Sequence, residues 1–345
     1  MTRSSSLCAA LMLAFAPSTA ADAGSPPDVE RLFDMTRPAF GIRQPHRPHA
    51  KLKAPTLWQQ PDMWLKAVMQ HQFARNRSEV SIGKPKKHNH FLVNLGAHYG
   101  NGIDDIVSYS MQSNDVDGYA VDSDDGMPWA GARIRKHTGF VNPPNIAKLL
   151  KDGGVPKSPR LLKVDIDSYD ADVAAAALAT ISPLFVFVEL NEKIPPPMSY
   201  CNRYPDNGKW VRVDGHAYGC SLTGFVNLFL SKGYLLVSVI LNDALFVRSD
   251  QARAVAAQLP GGALPEALAA FDQGYAHYPH RAQLFPWNEG VKAWIDGQIP
   301  LATRANMVRN YFQRHGNGEA KGMTYPFVPK AMPGVWPCAA DTVTP

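Results

Sequence analysis

Cysteine is scarce, with four in 345 residues. Cys8 lies in a leader-like segment, which leaves Cys201, Cys220 and Cys338. Three are too few for a disulfide-built scaffold, and no Cys/His spacing matches a zinc site. Cys201 and Cys220 flank a short loop and could pair; Cys338 sits in a tail. Charged residues are 19%, below the usual ~25%. The net charge of +5 is spread without a dense basic run, which argues against a nucleic-acid partner. No apolar run reaches the ~20 residues of a membrane span. There is no internal repeat, and Ser221 does not lie in the G-x-S-x-G elbow of a serine hydrolase.

What is present begins with a leader. Residues 1–21 read as a secretory signal peptide. Arg3 supplies the positive start, Leu7 to Ala16 the apolar stretch, and Ser18 to Ala21 the small residues of a cleavage site. The expected location is a secretory lumen or outside the cell, with no stable membrane insertion after cleavage. A retained anchor or a bipartite organelle presequence is the alternative. Residues 22–85 form a proline-rich extension with one helix expected over Pro61–Arg75. A main domain is expected over 86–250, and a helical and loop extension packed on it over 251–345. Trp287, Trp294, Tyr311 and Phe312 are its expected packing residues.

With 45% apolar residues, the chain can build a large core. From residue 91 strands alternate with helices. Strands are expected at Phe91–Leu95, Gly118–Val121, Ala132–Lys136, Leu161–Val164 and Leu184–Val188. Helices are expected at Gly102–Met111, Asn142–Leu150, Ala171–Ile181 and Ser221–Lys232, with Asn142 as an N-cap before Pro143 and Gly233 as a C-terminal stop. This alternation makes a parallel α/β sheet buried on both faces. Tyr234–Ile240 and Ala244–Val247 are joined by a turn too tight for a parallel crossover, so the last strand runs antiparallel.

Ligands of such a sheet bind at the carboxyl ends of its strands. The first strand ends in Asn94-Leu-Gly96-Ala97-His98-Tyr99-Gly100, a bend where glycine permits close approach of backbone to ligand. The second ends in Asp122, 26 residues after Gly96, near the spacing of a ribose-binding acid. The glycine spacing differs from the G-x-G-x-x-G of a pyrophosphate cradle. The fourth ends in Asp165-Ile-Asp167-Ser-Tyr-Asp170 and the fifth in Glu189-Leu-Asn191-Glu192. Carboxylates and a glycine bend thus converge on one rim. Asp165, Asp167 and Asp170 are a type of group that holds a divalent metal, but an acid opening a helix is favoured by the helix dipole, and no metal is assigned. Tyr200, Tyr204 and Trp210 lie in one insertion and are candidates to stack on an acceptor, or simply to pack their loop.

The bend resembles the Asp-x-Gly-Ala-Asn-x-Gly turn of FkbM-type S-adenosylmethionine-dependent methyltransferases. Leu162-Lys163-Val164-Asp165-Ile166-Asp167-Ser168-Tyr169-Asp170 is similar to that family's Ile-Lys-Ile-Asp-Val-Gln-Gly-x-Glu block. Phe187-Val188-Glu189, Gly219-Cys-Ser221-Leu222, Lys232-Gly233-Tyr234 and Phe246-Val247-Arg248 also resemble its later elements, over about residues 90–250. The resemblance implies a class I, Rossmann-like methyltransferase fold of seven strands and S-adenosylmethionine as cofactor. It places Asn94, Gly96, Ala97 and Gly100 along the methionine and ribose, Asp122 on the ribose hydroxyls, and Gly139 with Phe140 beside the adenine. Asp165, Asp167, Glu189 and His98 are the candidate bases for methyl transfer to a hydroxyl of a glycan or small metabolite, Asp165 first. Asn94 stands where the family has an acid and His98 where it has Asn, so the branch is divergent. A non-catalytic binding protein on a degenerate methyltransferase fold is the alternative.

Overall fold

The structure is a computed structural model. It describes residues 91–97, 107, 111, 116–124, 133–205, 218–315 except 258, 260, 261, 279, 280 and 296–298, and 328–329. The signal segment, the proline-rich extension and its helix lie outside the described residues.

Seven strands form one sheet: β1 Phe91–Leu95, β2 Asp117–Asp122, β3 Ile134–Thr138, β4 Leu161–Val164, β5 Phe185–Glu189, β7 Tyr234–Ile240 and β8 Asp243–Arg248. A two-residue strand, β6 Met198–Ser199, pairs separately with β9 Val328–Pro329. The order in the large sheet is β3-β2-β1-β4-β5-β8-β7. All neighbours run parallel except β8, which is antiparallel to both β5 and β7. This is the seven-stranded, Rossmann-like arrangement of class I methyltransferases, with the reversed strand where the tight hairpin required it. The chain turns from β7 to β8 at Leu241, in the left-handed region (φ 58°).

Burial explains the strands. Every residue of β1 and β4 is buried, as expected of strands covered on both faces. β3 is different: Arg135, Lys136, His137 and Thr138 are all exposed on an edge strand, where charged residues discourage further pairing. It runs two residues later than the Ala132–Lys136 expected. Its start is set by register on β2, where Ile134 faces Gly118 and Arg133 pairs with Asp117 at 3.0 Å.

Helix α1, Ile146–Asp152, starts later than the Asn142 cap predicted. Asn142 and Asn145 exchange side chain-to-backbone hydrogen bonds, each 2.9 Å, and these close a turn through the two prolines before the helix begins. Helix α2, Asp170–Thr180, buries small residues, Ala171, Ala174 and Ala177, and so lies close on the sheet. Helix α3, Leu222–Ser231, is capped by Ser221, whose Oγ accepts from the Gly224 N–H at 3.2 Å. It buries Phe225 and Phe229, the latter 4.6 Å from Phe246 of β8 by ring centres. Gly233 (φ 79°) follows and ends it. Beyond β8, helix α4 (Leu301–His315) and shorter turns bring Trp294, Tyr311 and Phe312 into the same core as the sheet residues. The Trp287 side chain lies outside the described residues. Among the described residues no helix is long and apolar enough to cross a membrane.

Gly96 (φ 78°) carries the turn out of β1. A Cβ there would lie 1.4 Å from the Asp165 carbonyl oxygen, in backbone that cannot swing away. Gly96→Ala should therefore destabilise the fold by about 3 kcal/mol or more, from the left-handed strain and the clash together. Urea unfolding of the variant checks this, and unchanged stability would contradict the packing.

Candidate functional site

The strand order reverses direction between β1 and β4, the place where open α/β sheets bind ligands. The rim there has two halves. On the β1–β2 side, Gly96 and Ala97 both donate backbone N–H groups to the Val121 carbonyl, at 2.9 and 3.2 Å. This fixes the bend beside Asp122. Asp122 Oδ1 accepts from the Asp124 N–H at 2.8 Å, and its carbonyl accepts from the Gly139 N–H at 2.7 Å. Phe140, held through its carbonyl by Asn145 Nδ2 at 2.8 Å, is 53% exposed. The structure thus brings Gly96, Ala97, Asp122, Gly139 and Phe140 together in a row. His98 and Gly100 lie outside the described residues. Asn94 is fully buried within β1, opposite Ala120 and Lys163, so it is a strand-interior residue rather than a rim residue.

On the β4–β5 side stand the acids. Asp165 follows β4, and its Oδ2 pairs with Lys163 Nζ at 2.9 Å. The same ammonium donates to the Gly96 carbonyl at 2.9 Å and is 2% exposed. From sequence, Lys163 stands within the Leu162–Asp170 block but is given no role; its signal is a lysine inside an apolar run. Asp167 is exposed with φ 56°, a conformation Asp tolerates. Glu189 ends β5, half-buried, with Oε1 accepting from Asn242 Nδ2 at 2.8 Å. Burial raises its carboxyl well above the usual range, and Asp165, Asp167, Asp170 and Asp243 push the same way. One carboxylate oxygen from each of Asp165, Asp167 and Glu189 lies within 4.8 Å of the others, close enough to share a cation.

Asp170 belongs elsewhere. It is fully buried at the start of α2, and its two oxygens accept the N–H groups of Ile166 (2.8 Å) and Ser168 (3.0 Å). This closes the Asp165–Asp170 loop from beneath. The trio of aspartates considered from the sequence is therefore split: two face the rim and one holds the backbone.

Glu192 is not a rim acid either. It is buried, accepting from Lys193 Nζ (3.0 Å), Asn288 Nδ2 (2.5 Å) and the Tyr218 hydroxyl. Burial alone would raise its carboxyl, but Lys193 and these donors bring it below the ordinary value. Asn288 also donates to the Tyr275 hydroxyl at 2.9 Å, and Trp294 Nε1 donates to the Lys193 carbonyl at 2.8 Å. The network ties the segment after β5 to the C-terminal helices. Cys201 and Cys220 form a disulfide that closes the intervening loop. Tyr200 is buried against Phe312 and Tyr204 packs edge-on to Tyr169 (4.8 Å), so these rings pack their loop; Trp210 lies outside the described residues.

No family model and no curated relative matches the chain. Among solved structures it is similar to the MycE methyltransferase from the mycinamycin biosynthetic pathway, in complex with Mg, SAH and mycinamycin VI. The identity is 15% over 56% of this chain and 50% of that one, with a TM-score of 0.33. It is also similar to the citrinin polyketide synthase CMeT domain (12% identity, 47% and 46% covered, TM-score 0.28). A third is a single-residue variant of LepI in complex with SAH and a substrate analogue (11%, 56% and 54%, 0.29). The chain spans about half the length of each. At these values the likeness carries no argument about chemistry, which rests on the residues of the rim.

Burial, opposed by its two backbone donors, pushes the Asp170 carboxyl up to about 7. The folded protein then holds a proton that the unfolded chain sheds near pH 4. Stability from this group is full below about pH 4 and is lost as pH rises to about 7. Urea unfolding should show wild type losing on the order of 1–3 kcal/mol more than Asp170→Asn across this window. The variant should be less stable at pH 5, since its Nδ2 cannot accept a buried N–H. Equal pH dependence in the two proteins would contradict the assignment.

Proposed function

We propose that this protein is an S-adenosylmethionine-dependent methyltransferase of an FkbM-like, divergent branch, acting on an oxygen of a glycan or small metabolite in a secretory lumen or outside the cell. The observation that carries the reading is the row Gly96–Ala97, Asp122, Gly139–Phe140 along three adjacent strand ends, with carboxylates facing it across the reversal point of the sheet. The residues fit the cofactor. In the described part of the bend a part-exposed Gly96 faces the rim while Ala97 packs into the core, an acid ends the next strand, and an exposed aromatic ring follows the third.

Asp122 accepts hydrogen bonds from the ribose hydroxyls, with one oxygen already oriented by the Asp124 N–H. Gly96 would line the methionine side, with the buried Ala97 behind it, and Phe140 would lie against the adenine. When bound, the cofactor supplies an electrophilic methyl group. Asp165 takes the proton of the acceptor hydroxyl as methyl transfer proceeds, held in place through Lys163; Asp167 and Glu189 complete the acidic wall on the acceptor side. His98 remains a candidate base from the sequence. Holding the acceptor oxygen in line supplies much of the rate. Asn94 is buried in its strand, so it does not replace the family's acid as a partner for the cofactor's ammonium group.

Calorimetry with S-adenosylmethionine should show binding that weakens at least ~10-fold in Asp122→Ala, the cost of losing charge-assisted hydrogen bonds. Incubation with labelled cofactor and a glycan extract should transfer label. Binding without transfer supports the non-catalytic alternative, and affinity indifferent to Asp122 contradicts the site.

A further inference from the structure

We propose that Asp165, Asp167 and Glu189 bind one divalent, oxygen-preferring cation at the carboxyl ends of β4 and β5. The first observation is geometric. One carboxylate oxygen from each residue lies within 4.8 Å of the others. An ion of Ca2+ size, with oxygens at about 2.3–2.6 Å, bridges oxygens up to about 5 Å apart, whereas Mg2+ at about 2.1 Å requires the side chains to draw closer. All three donors are carboxylates, a set that favours hard cations over copper or zinc.

The second observation concerns Glu189. Asn242 Nδ2 donates to Oε1. Oε2 is shielded from solvent yet accepts no hydrogen bond. A buried carboxylate oxygen without a donor keeps its whole desolvation penalty. The surroundings worsen this, since Asp170 and Asp243 add to the negative field at Glu189. Among the described residues, Lys163 is committed to Asp165 Oδ2 and the Gly96 carbonyl, and Lys193 to Glu192. A cation adds positive charge beside Glu189 and gives Oε2 a partner.

The site shares its rim with the methyltransferase reading but does not depend on it, and the test uses no cofactor. The full-length protein, stripped with chelator, is titrated with Ca2+ and with Mg2+ by calorimetry, and its unfolding midpoint is followed with each ion. The expected result is one site, Ca2+ tighter than Mg2+, with a raised midpoint. Asp167→Asn tests the assignment without threatening the fold, because the residue is exposed and Asn adopts its left-handed backbone readily. It should bind at least ten-fold more weakly, while Asp152→Asn, at the exposed end of α1, should bind as wild type. Glu189→Gln should lose the cation-dependent rise in midpoint. The proposal is overturned if millimolar Ca2+ and Mg2+ give neither heat nor a shifted midpoint in wild type. It is equally overturned if Asp167→Asn or Glu189→Gln leaves the response intact. Cation binding with no S-adenosylmethionine binding would sink the cofactor reading alone, and the converse would sink this one alone.

Discussion

The two halves of the rim are held together by one buried ammonium group. Lys163 reaches from the middle of β4 to the Gly96 carbonyl on one side and the Asp165 carboxylate on the other, both at 2.9 Å. A lysine removed from water is tolerated only when its charge is paired and its donors are used. Here that requirement fixes the geometry. The bend after β1 cannot drift from the acid after β4 without stranding the charge. The missing side chain of Gly96 lets the two backbones meet, and the Asp165 N–H completes the joint by donating to the Leu95 carbonyl at 3.0 Å.

The rest of the site is built outward from that joint. Asp170 ties down the loop that begins at Asp165, so Asp167 stands at the surface rather than folding under. Asn242, in the β7–β8 turn, orients Glu189, and the antiparallel placement of β8 beside β5 is what brings that turn to the rim. Further out, Glu192 and Asn288 join the segment after β5 to the C-terminal helices, so those helices buttress the acidic end of the sheet instead of forming a separate body. Hydrogen bonds to a buried charge are among the stronger ones available, which suits a joint of few residues.

Much of this was legible in the sequence because strand ends are marked by a change from apolar to acidic residues. β1, β4 and β7 have the boundaries read from composition alone, and the reversed strand followed from the length of its turn. Asp122, Asp165 and Glu189 are candidates by their expected place at strand ends, and Asp122 and Glu189 do end β2 and β5 while Asp165 follows β4. The shifts at β3 and α1 have local causes that no apolar period reveals: an edge register and a pair of asparagines. Lys163 belongs to the Leu162–Asp170 block but takes no role from the sequence, because a single charge in an apolar strand does not reveal what it bridges. The Glu192–Asn288 contact joins residues 96 apart, and only the assembled core brings them together.

A crystal structure with S-adenosylhomocysteine tests the central claim most directly. The account predicts the nucleoside resting on the Gly96–Ala97 bend, its ribose hydroxyls on the Asp122 carboxylate, and its sulfur directed toward Asp165. A ligand seated elsewhere, or a bend occupied by the protein's own side chains, would contradict it and leave only the α/β scaffold standing.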